Sequence, residues 1–140
     1  HHTCALRSTG AVVCWGSNAV GQLGRGNTTN SSERVPVSGL TDAVQIAAGY
    51  FHFCARRATG TLVCWGNNEF GQLGDGSRGN ATVPTAVSGL TDVTLVAASY
   101  TYTCARRASG AVMCWGANNV GQLGDGTTTN RLVPTAVLEP

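Results

Sequence analysis

With 140 residues, 11% of them charged and a formal net charge of +2, the chain is large enough for one domain but carries far less charge than the ~25% usual in soluble domains. All nine basic residues are arginine and they are scattered, so the concentrated basic field of a nucleic-acid surface is absent and no nucleic-acid partner is expected. No apolar run approaches the ~20 residues of a membrane-crossing helix, so no membrane span is expected.

Taken in order, the chain repeats itself. His1-His2-Thr3 leads to Cys4, and Cys14-Trp15-Gly16-Ser17-Asn18-Ala19-Val20-Gly21-Gln22-Leu23-Gly24 follows. That stretch recurs at 64–74 and 114–124, with eight of its eleven positions identical in all three copies. A fixed period of this length means a unit that cannot bury its apolar face alone and must stack on its neighbours. The units are about 1–43, 44–93 and 94–140, read as one propeller segment spanning 1–140.

The second unit shows the pattern whole. Ala43–Gly49 is apolar with small residues, as in a crowded buried strand. Phe53–Arg57 and Thr61–Trp65 are two strands joined through Ala58-Thr59-Gly60, which fits a type I turn closed by a left-handed glycine. Opposing Arg57 and Thr61 puts Arg56 across from Leu62, Ala55 across from Val63 and Cys54 across from Cys64. The same register pairs Cys4 with Cys14 and Cys104 with Cys114, each at the closer, non-hydrogen-bonded kind of site, within disulfide reach. Three such pairs point to intra-unit disulfides and an oxidising compartment, with buried free thiols as the alternative. Close Cys-x-x-Cys spacings are missing, so no metal site is expected.

Beyond Trp65, Gly66-Asn67-Asn68 and Gly71–Gly76 are turn residues. Val83–Val87 reads as an outer strand, where Pro84 is tolerated at an edge. In the first unit the corresponding proline, Pro36, comes two places later in the repeat. Ser88–Asp92 connects to the next inner strand, Val93–Ser99. The expected class is all-β: blades of four antiparallel strands with no helix, arranged as a propeller, or alternatively as a solenoid.

The repeated Cys-Trp-Gly-x-Asn-x-x-Gly-Gln-Leu-Gly, with Gly-x-Val-x-Cys before it and Val-Pro-x-x-Val after it, resembles the regulator of chromosome condensation repeat family across essentially the whole chain. The resemblance implies a seven-bladed propeller in a complete protein. A cysteine pair in every unit is similar to the secreted bacterial branch rather than to the nuclear exchange factor. Three full periods would require 150 residues, ten more than are present; the shortfall includes the first unit's inner strand, and Leu138-Glu139-Pro140 replaces Ser-Gly-Leu at the far end. The expectation is a fragment of a longer protein, or three blades completed by a second copy.

Two places vary while the scaffold holds still. Tyr50-Phe51-His52-Phe53 aligns with Tyr100-Thr101-Tyr102-Thr103 and with His1-His2-Thr3, in the turn between the first two strands. Repeated on one face of a propeller, that turn would gather Tyr50, Phe51, His52, Phe53, Tyr100 and Tyr102 at the channel mouth as a partner-binding patch, since aromatic residues dominate binding hot spots. Arg56 and Arg106, with Arg57 and Arg107, are expected beside it as planar donors. The second variable region, Asn27–Arg34, Ser77–Thr82 and Thr127–Arg131, is polar and expected to be mobile. Trp15, Trp65 and Trp115 are expected to pack between blades, with the indole N–H on a loop carbonyl.

No catalytic set emerges. The seven acids, Glu33, Asp42, Glu69, Asp75, Asp92, Asp125 and Glu139, lie mostly in connections, lysine is absent, and His52 is the sole histidine away from the terminus. No enzyme activity and no cofactor are expected. The leading expectation is a secreted or cell-surface scaffold that binds a protein partner through one face. The second is a structural module whose chains complete each other's blades, and the third is guanine-nucleotide exchange, implied by the family resemblance alone.

Overall fold

Short apolar runs separated by glycine turns have only enough length for strands, and strands are what form. The computed structural model describes all 140 residues. Eleven strands follow in order: β1 His2–Leu6, β2 Val12–Gly16, β3 Ser31–Pro36, β4 Ala43–Ala48, β5 His52–Arg57, β6 Leu62–Gly66, β7 Ala81–Ala86, β8 Val93–Ala98, β9 Tyr102–Arg107, β10 Val112–Gly116 and β11 Arg131–Ala136. They pair into three antiparallel sheets ordered β1-β2-β3, β4-β5-β6-β7 and β8-β9-β10-β11. These are three propeller blades, the first with three strands, in an arc that does not close. There is no helix, and so none long and apolar enough to cross a membrane.

The hairpin count holds residue for residue. Gly60 takes φ of +86°, and the Arg57 N–H donates to the Thr61 carbonyl at 2.9 Å. Alternation from that bonded pair leaves Arg56↔Leu62 and Cys54↔Cys64 as the close, non-bonded pairs. Disulfides join Cys4–Cys14, Cys54–Cys64 and Cys104–Cys114, each with Cα atoms 4.1 Å apart, and no free cysteine remains. In the chain-entropy model each such short loop contributes about 2–3 kcal/mol.

The outer strands differ from expectation by starting earlier. β7 begins at Ala81, not Val83, because Ala81 pairs with Gly66 across a bulge, after which Cys64 pairs with Thr85. Pro84 falls inside that bulge, where a missing N–H breaks no ladder bond. Pro36 occupies the place of Ala86, opposite Val13, so its two-place displacement leaves the register unchanged.

One core of 20 buried residues runs through all three blades. Its junctions are built from repeat residues. Trp65 and Trp115 are wholly buried, and their indole N–H groups donate to the carbonyls of Gln22 (3.0 Å) and Gln72 (2.9 Å) in the preceding blade. Gly24 and Gly74 form the floors beneath those rings; a Cβ on Gly74 would stand 2.6 Å from the Trp115 nitrogen. Trp15, with no blade before it, is only half-buried.

One junction residue carries no mark in the repeat. Gln45 sits on inner strand β4, and its amide clasps the next inner strand, donating to the Val96 carbonyl at 2.9 Å and accepting from the Val96 N–H at 3.1 Å. It works as a peptide group for the open edge of β8. The counterpart in the third unit is Leu95, which cannot do this.

The loop after each tryptophan is held to a buried side chain. Asn68 is fully buried, accepts from the Leu73 N–H at 3.0 Å, and turns its NH2 toward Asp75, the Ser77 carbonyl and the Gly79 carbonyl. Asn18 and Asn118 repeat the arrangement. In the first unit Arg25 replaces the aspartate, and Asn27 Oδ1 takes its place as acceptor. The loop is wound around a buried amide, and part of the expected region belongs to β3 and β7. Asn68→Ala should lower stability by about 2 kcal/mol through the unsatisfied Leu73 N–H and the freed loop carbonyls. Exposed Glu69→Ala should change it by less than about 0.5 kcal/mol; urea midpoints of the two variants decide the matter.

Candidate functional site

Antiparallel blades put their turns at two ends. The turn 49–51 and the loop 67–80 lie at one end, because β5 starts where β6 finishes: His52 pairs with Gly66. The hairpin 58–61 and the connection 87–92 lie at the other, and five residues of strand at ~3.3 Å each separate them. This geometry corrects the expected site. Arg56 and Arg106 are at the far ends of β5 and β9, opposite Leu62 and Val112, and do not stand beside the aromatic turn. Arg56 instead lies against Gln45 in the junction between blades, and Arg57 and Arg107 pair with Asp42 and Asp92, each at 2.8 Å.

The aromatic turn divides by strand alternation. His52 and Phe53 are buried, so they are not available to a partner as expected. The His52 side chain points to the following blade and Phe53 to the preceding one, where the His2 ring meets it edge-on at 5.0 Å. Tyr102 holds the place of His52 in the third blade and is half-buried. What remains outside is a smaller cluster. Tyr50 is 41% exposed and Tyr100 61%, their rings stacked at 4.2 Å, with Phe51 edge-on to Tyr50 at 4.3 Å. The Tyr50 N–H donates to the Tyr100 carbonyl, so the two turns are tied through backbone as well as rings. The Tyr100 phenol is held above its ordinary range, first by desolvation and then by the Tyr50 phenol beside it. Three aromatic side chains, half in solvent and braced against each other, form a pre-ordered apolar surface edged with hydroxyls.

Beneath the cluster runs a buried relay. His52 Nε2 lies 2.9 Å from Thr103 Oγ1, and that hydroxyl donates to the Gln72 carbonyl at 2.9 Å. The hydroxyl has one proton to give, so Nε2 carries the hydrogen in the His52–Thr103 bond. Nδ1 is then the bare nitrogen, and it is buried with no partner. Burial lowers the His52 pKa to about 4, with the second histidine, His2, adding to the effect. The Gln72 carbonyl also receives the Trp115 indole, so two donors of the third blade meet on one oxygen of the second. A buried neutral imidazole held this way supports the turn above it and makes no contact with solvent.

No group of three or more His, Cys, Asp or Glu side chains is placed to hold a metal ion. The aspartates of the second and third loops are committed internally: Asp75 accepts from Ser77 and Asn68, and Asp125 from Arg131 at 2.6 Å. The arginine beside it, together with its hydrogen bonds, holds the Asp125 carboxyl well below the usual range.

Comparison with known proteins agrees with the blades. The model of the regulator of chromosome condensation (RCC1) repeat matches residues 9–56, 59–106 and 109–140, and a second model of the same repeat matches 43–72 and 93–122. Among solved structures, Prp20p from Saccharomyces cerevisiae, described with its binding to Gsp1p and histones, superposes with a TM-score of 0.88 at 22% identity over 99% of this chain and 36% of its own. Human WBSCR16 does so with a TM-score of 0.84 at 28% identity, over 96% of this chain and 35% of its own. The ectodomain of the Arabidopsis thaliana receptor kinase ACR4 reaches 0.53 at 20% identity, over 84% of this chain and 38% of its own. The chain thus spans little more than a third of each of these proteins.

Proposed function

Because the chain belongs to the regulator of chromosome condensation repeat family, whose blades it carries along nearly its whole length, we propose that it is a non-catalytic scaffold that binds a protein partner through the turn face of its blades. The observation that supports this most is the exposed stack of Tyr50, Tyr100 and Phe51 on a rigid frame. Loops displayed on rigid scaffolds carry recognition, and tyrosines supply contact area at low entropic cost. The three disulfides suit an oxidising compartment, so the scaffold is read as secreted or cell-surface. Guanine-nucleotide exchange rests on family likeness alone, and no residue here adds to it.

Selecting peptide binders from a display library against the whole chain tests this reading. Tyr100→Ala should weaken the selected binders by about tenfold or more, as expected for a hot-spot aromatic. Arg106→Ala, at the other end of the blade, should leave them unchanged. Binders indifferent to both Tyr50→Ala and Tyr100→Ala would move recognition elsewhere.

A further inference from the structure

The covalent cross-links of the chain all lie within single blades: Cys4–Cys14, Cys54–Cys64 and Cys104–Cys114 each join neighbouring strands of one sheet. Where the second blade meets the third, the two sides are held by the Trp115 indole, the Gln45 amide and packing. One further contact bridges that junction at the surface, and it is a pair of phenols.

Tyr50 and Tyr100 hold the same place in consecutive units. Their rings stack with centroids 4.2 Å apart and planes 24° from parallel, so ring carbons of one face ring carbons of the other. The Tyr50 hydroxyl lies beside that of Tyr100. The Tyr50 N–H donates to the Tyr100 carbonyl at 3.3 Å, which fixes the two turns against each other. Phe51 stands edge-on to Tyr50 at 4.3 Å and closes another side of that ring.

Tyr50 belongs to the middle blade, with a blade on either side, and is still 41% exposed. The pair is therefore open to solvent through Tyr50, whatever adjoins the third blade. Other oxidisable side chains are better withheld. No free thiol remains, Trp65 and Trp115 are wholly buried, and Trp15, Tyr102 and Met113 are half-buried.

We propose that Tyr50 and Tyr100 form a site of oxidative cross-linking, where a haem peroxidase with hydrogen peroxide joins them as dityrosine and staples the second blade to the third. Each phenol gives one electron and its hydroxyl proton to the oxidant, and one hydrogen peroxide becomes two waters. The two phenoxyl radicals form one carbon–carbon bond between positions ortho to their oxygens. Each coupled carbon then passes its hydrogen to its own ring's oxygen as aromaticity returns. Radicals held in contact combine within the molecule far faster than radicals that must meet by diffusion. The bond ties residues 50 apart in sequence, against 10 for each disulfide, so it constrains the unfolded chain more than any of them. The reaction needs no binding partner, so it is tested apart from the scaffold role.

The experiment treats the intact, disulfide-closed chain at low micromolar concentration with a haem peroxidase and hydrogen peroxide. Expected are dityrosine fluorescence, a monomer lighter by two hydrogens and, after proteolysis, one cross-linked peptide pair holding Tyr50 and Tyr100. The cross-linked chain should also unfold at higher urea than the untreated chain. Tyr50→Phe and Tyr100→Phe keep the stacked rings but remove one phenol, and each should slow dityrosine formation at least about tenfold. Tyr102→Phe should leave the rate unchanged. Fluorescence carried chiefly by covalent dimers overturns the proposal. So does a rate that survives Tyr50→Phe, or oxidation that falls on Trp15 and leaves both tyrosines intact.

Discussion

Trp65→Ala is expected to destabilise the chain by about 3–5 kcal/mol, the range for removing a large buried aromatic, and Trp65→Phe by about 1–3 kcal/mol. The alanine variant empties the space above Gly24 and removes the ring that stacks on Phe53 at 5.9 Å. The phenylalanine variant keeps most of the apolar volume, but it leaves the Gln22 carbonyl without the indole it accepts from, and a buried orphaned acceptor costs about 1–3 kcal/mol. Trp15→Ala is the control within the same molecule: the same residue in the same motif, half-buried, should cost well under half as much as Trp65→Ala in dilute solution. Chemical unfolding of the three variants measures the series. Equal losses at positions 15 and 65 would mean that the junction contributes nothing beyond the fold of each blade.

The second large effect is a loss of stability on mild acidification that traces to His52. The folded pKa of about 4 lies below the ordinary 6.5, so the folded state binds fewer protons at this site than the unfolded chain. Stability from the neutral ring is fully present above pH 6.5, declines as pH falls through the interval, and is gone below about 4. At about 1.4 kcal/mol for each pH unit the displacement amounts to about 3 kcal/mol. The cause is burial: the charged ring would be desolvated, and with Nε2 committed to Thr103 the N–H that a second proton makes at Nδ1 would find no acceptor. Unfolding midpoints between pH 7 and 4 should fall steeply in the wild type and much less in His52→Gln, which keeps an N–H donor for Thr103 without titrating. Parallel slopes in the two proteins would assign the acid sensitivity to other groups.

Much of this frame was legible from residue order. The three-residue hairpin connection fixes an opposed pair, the opposed pair fixes the register, and the register places Cys54 against Cys64. A tryptophan repeated in phase has nowhere to go but a junction. The candidate site was legible only in outline. The alignment located the aromatic turn, but alternation along β5 sends His52 and Phe53 inward, and a linear reading that treats four neighbours as one patch misses that. The arginines were misplaced because four positions along a strand span the blade from end to end. Gln45 was invisible for another reason: its role depends on the unpaired edge of a neighbouring strand, and the corresponding residue in the third unit is leucine, so no repetition marks it. Asn18, Asn68 and Asn118 did repeat, together with Asn30, Asn80 and Asn130, whose side chains accept from their backbone N–H groups. Their invariance across the units was a usable signal that the label of turn residue concealed.

The link from Trp65 and Trp115 to the carbonyl of the glutamine in the preceding blade has an evolutionary corollary. Both halves of the joint lie inside a single 50-residue period, the indole at one place and the carbonyl seven residues later. A tandem duplication of one period therefore delivers a blade already fitted to the blade in front of it and the blade behind, and an unequal crossover between periods removes one as cleanly. Blade number in such a gene can drift without any new surface having to be invented, and selection acts on the arc's diameter and on which turns decorate it.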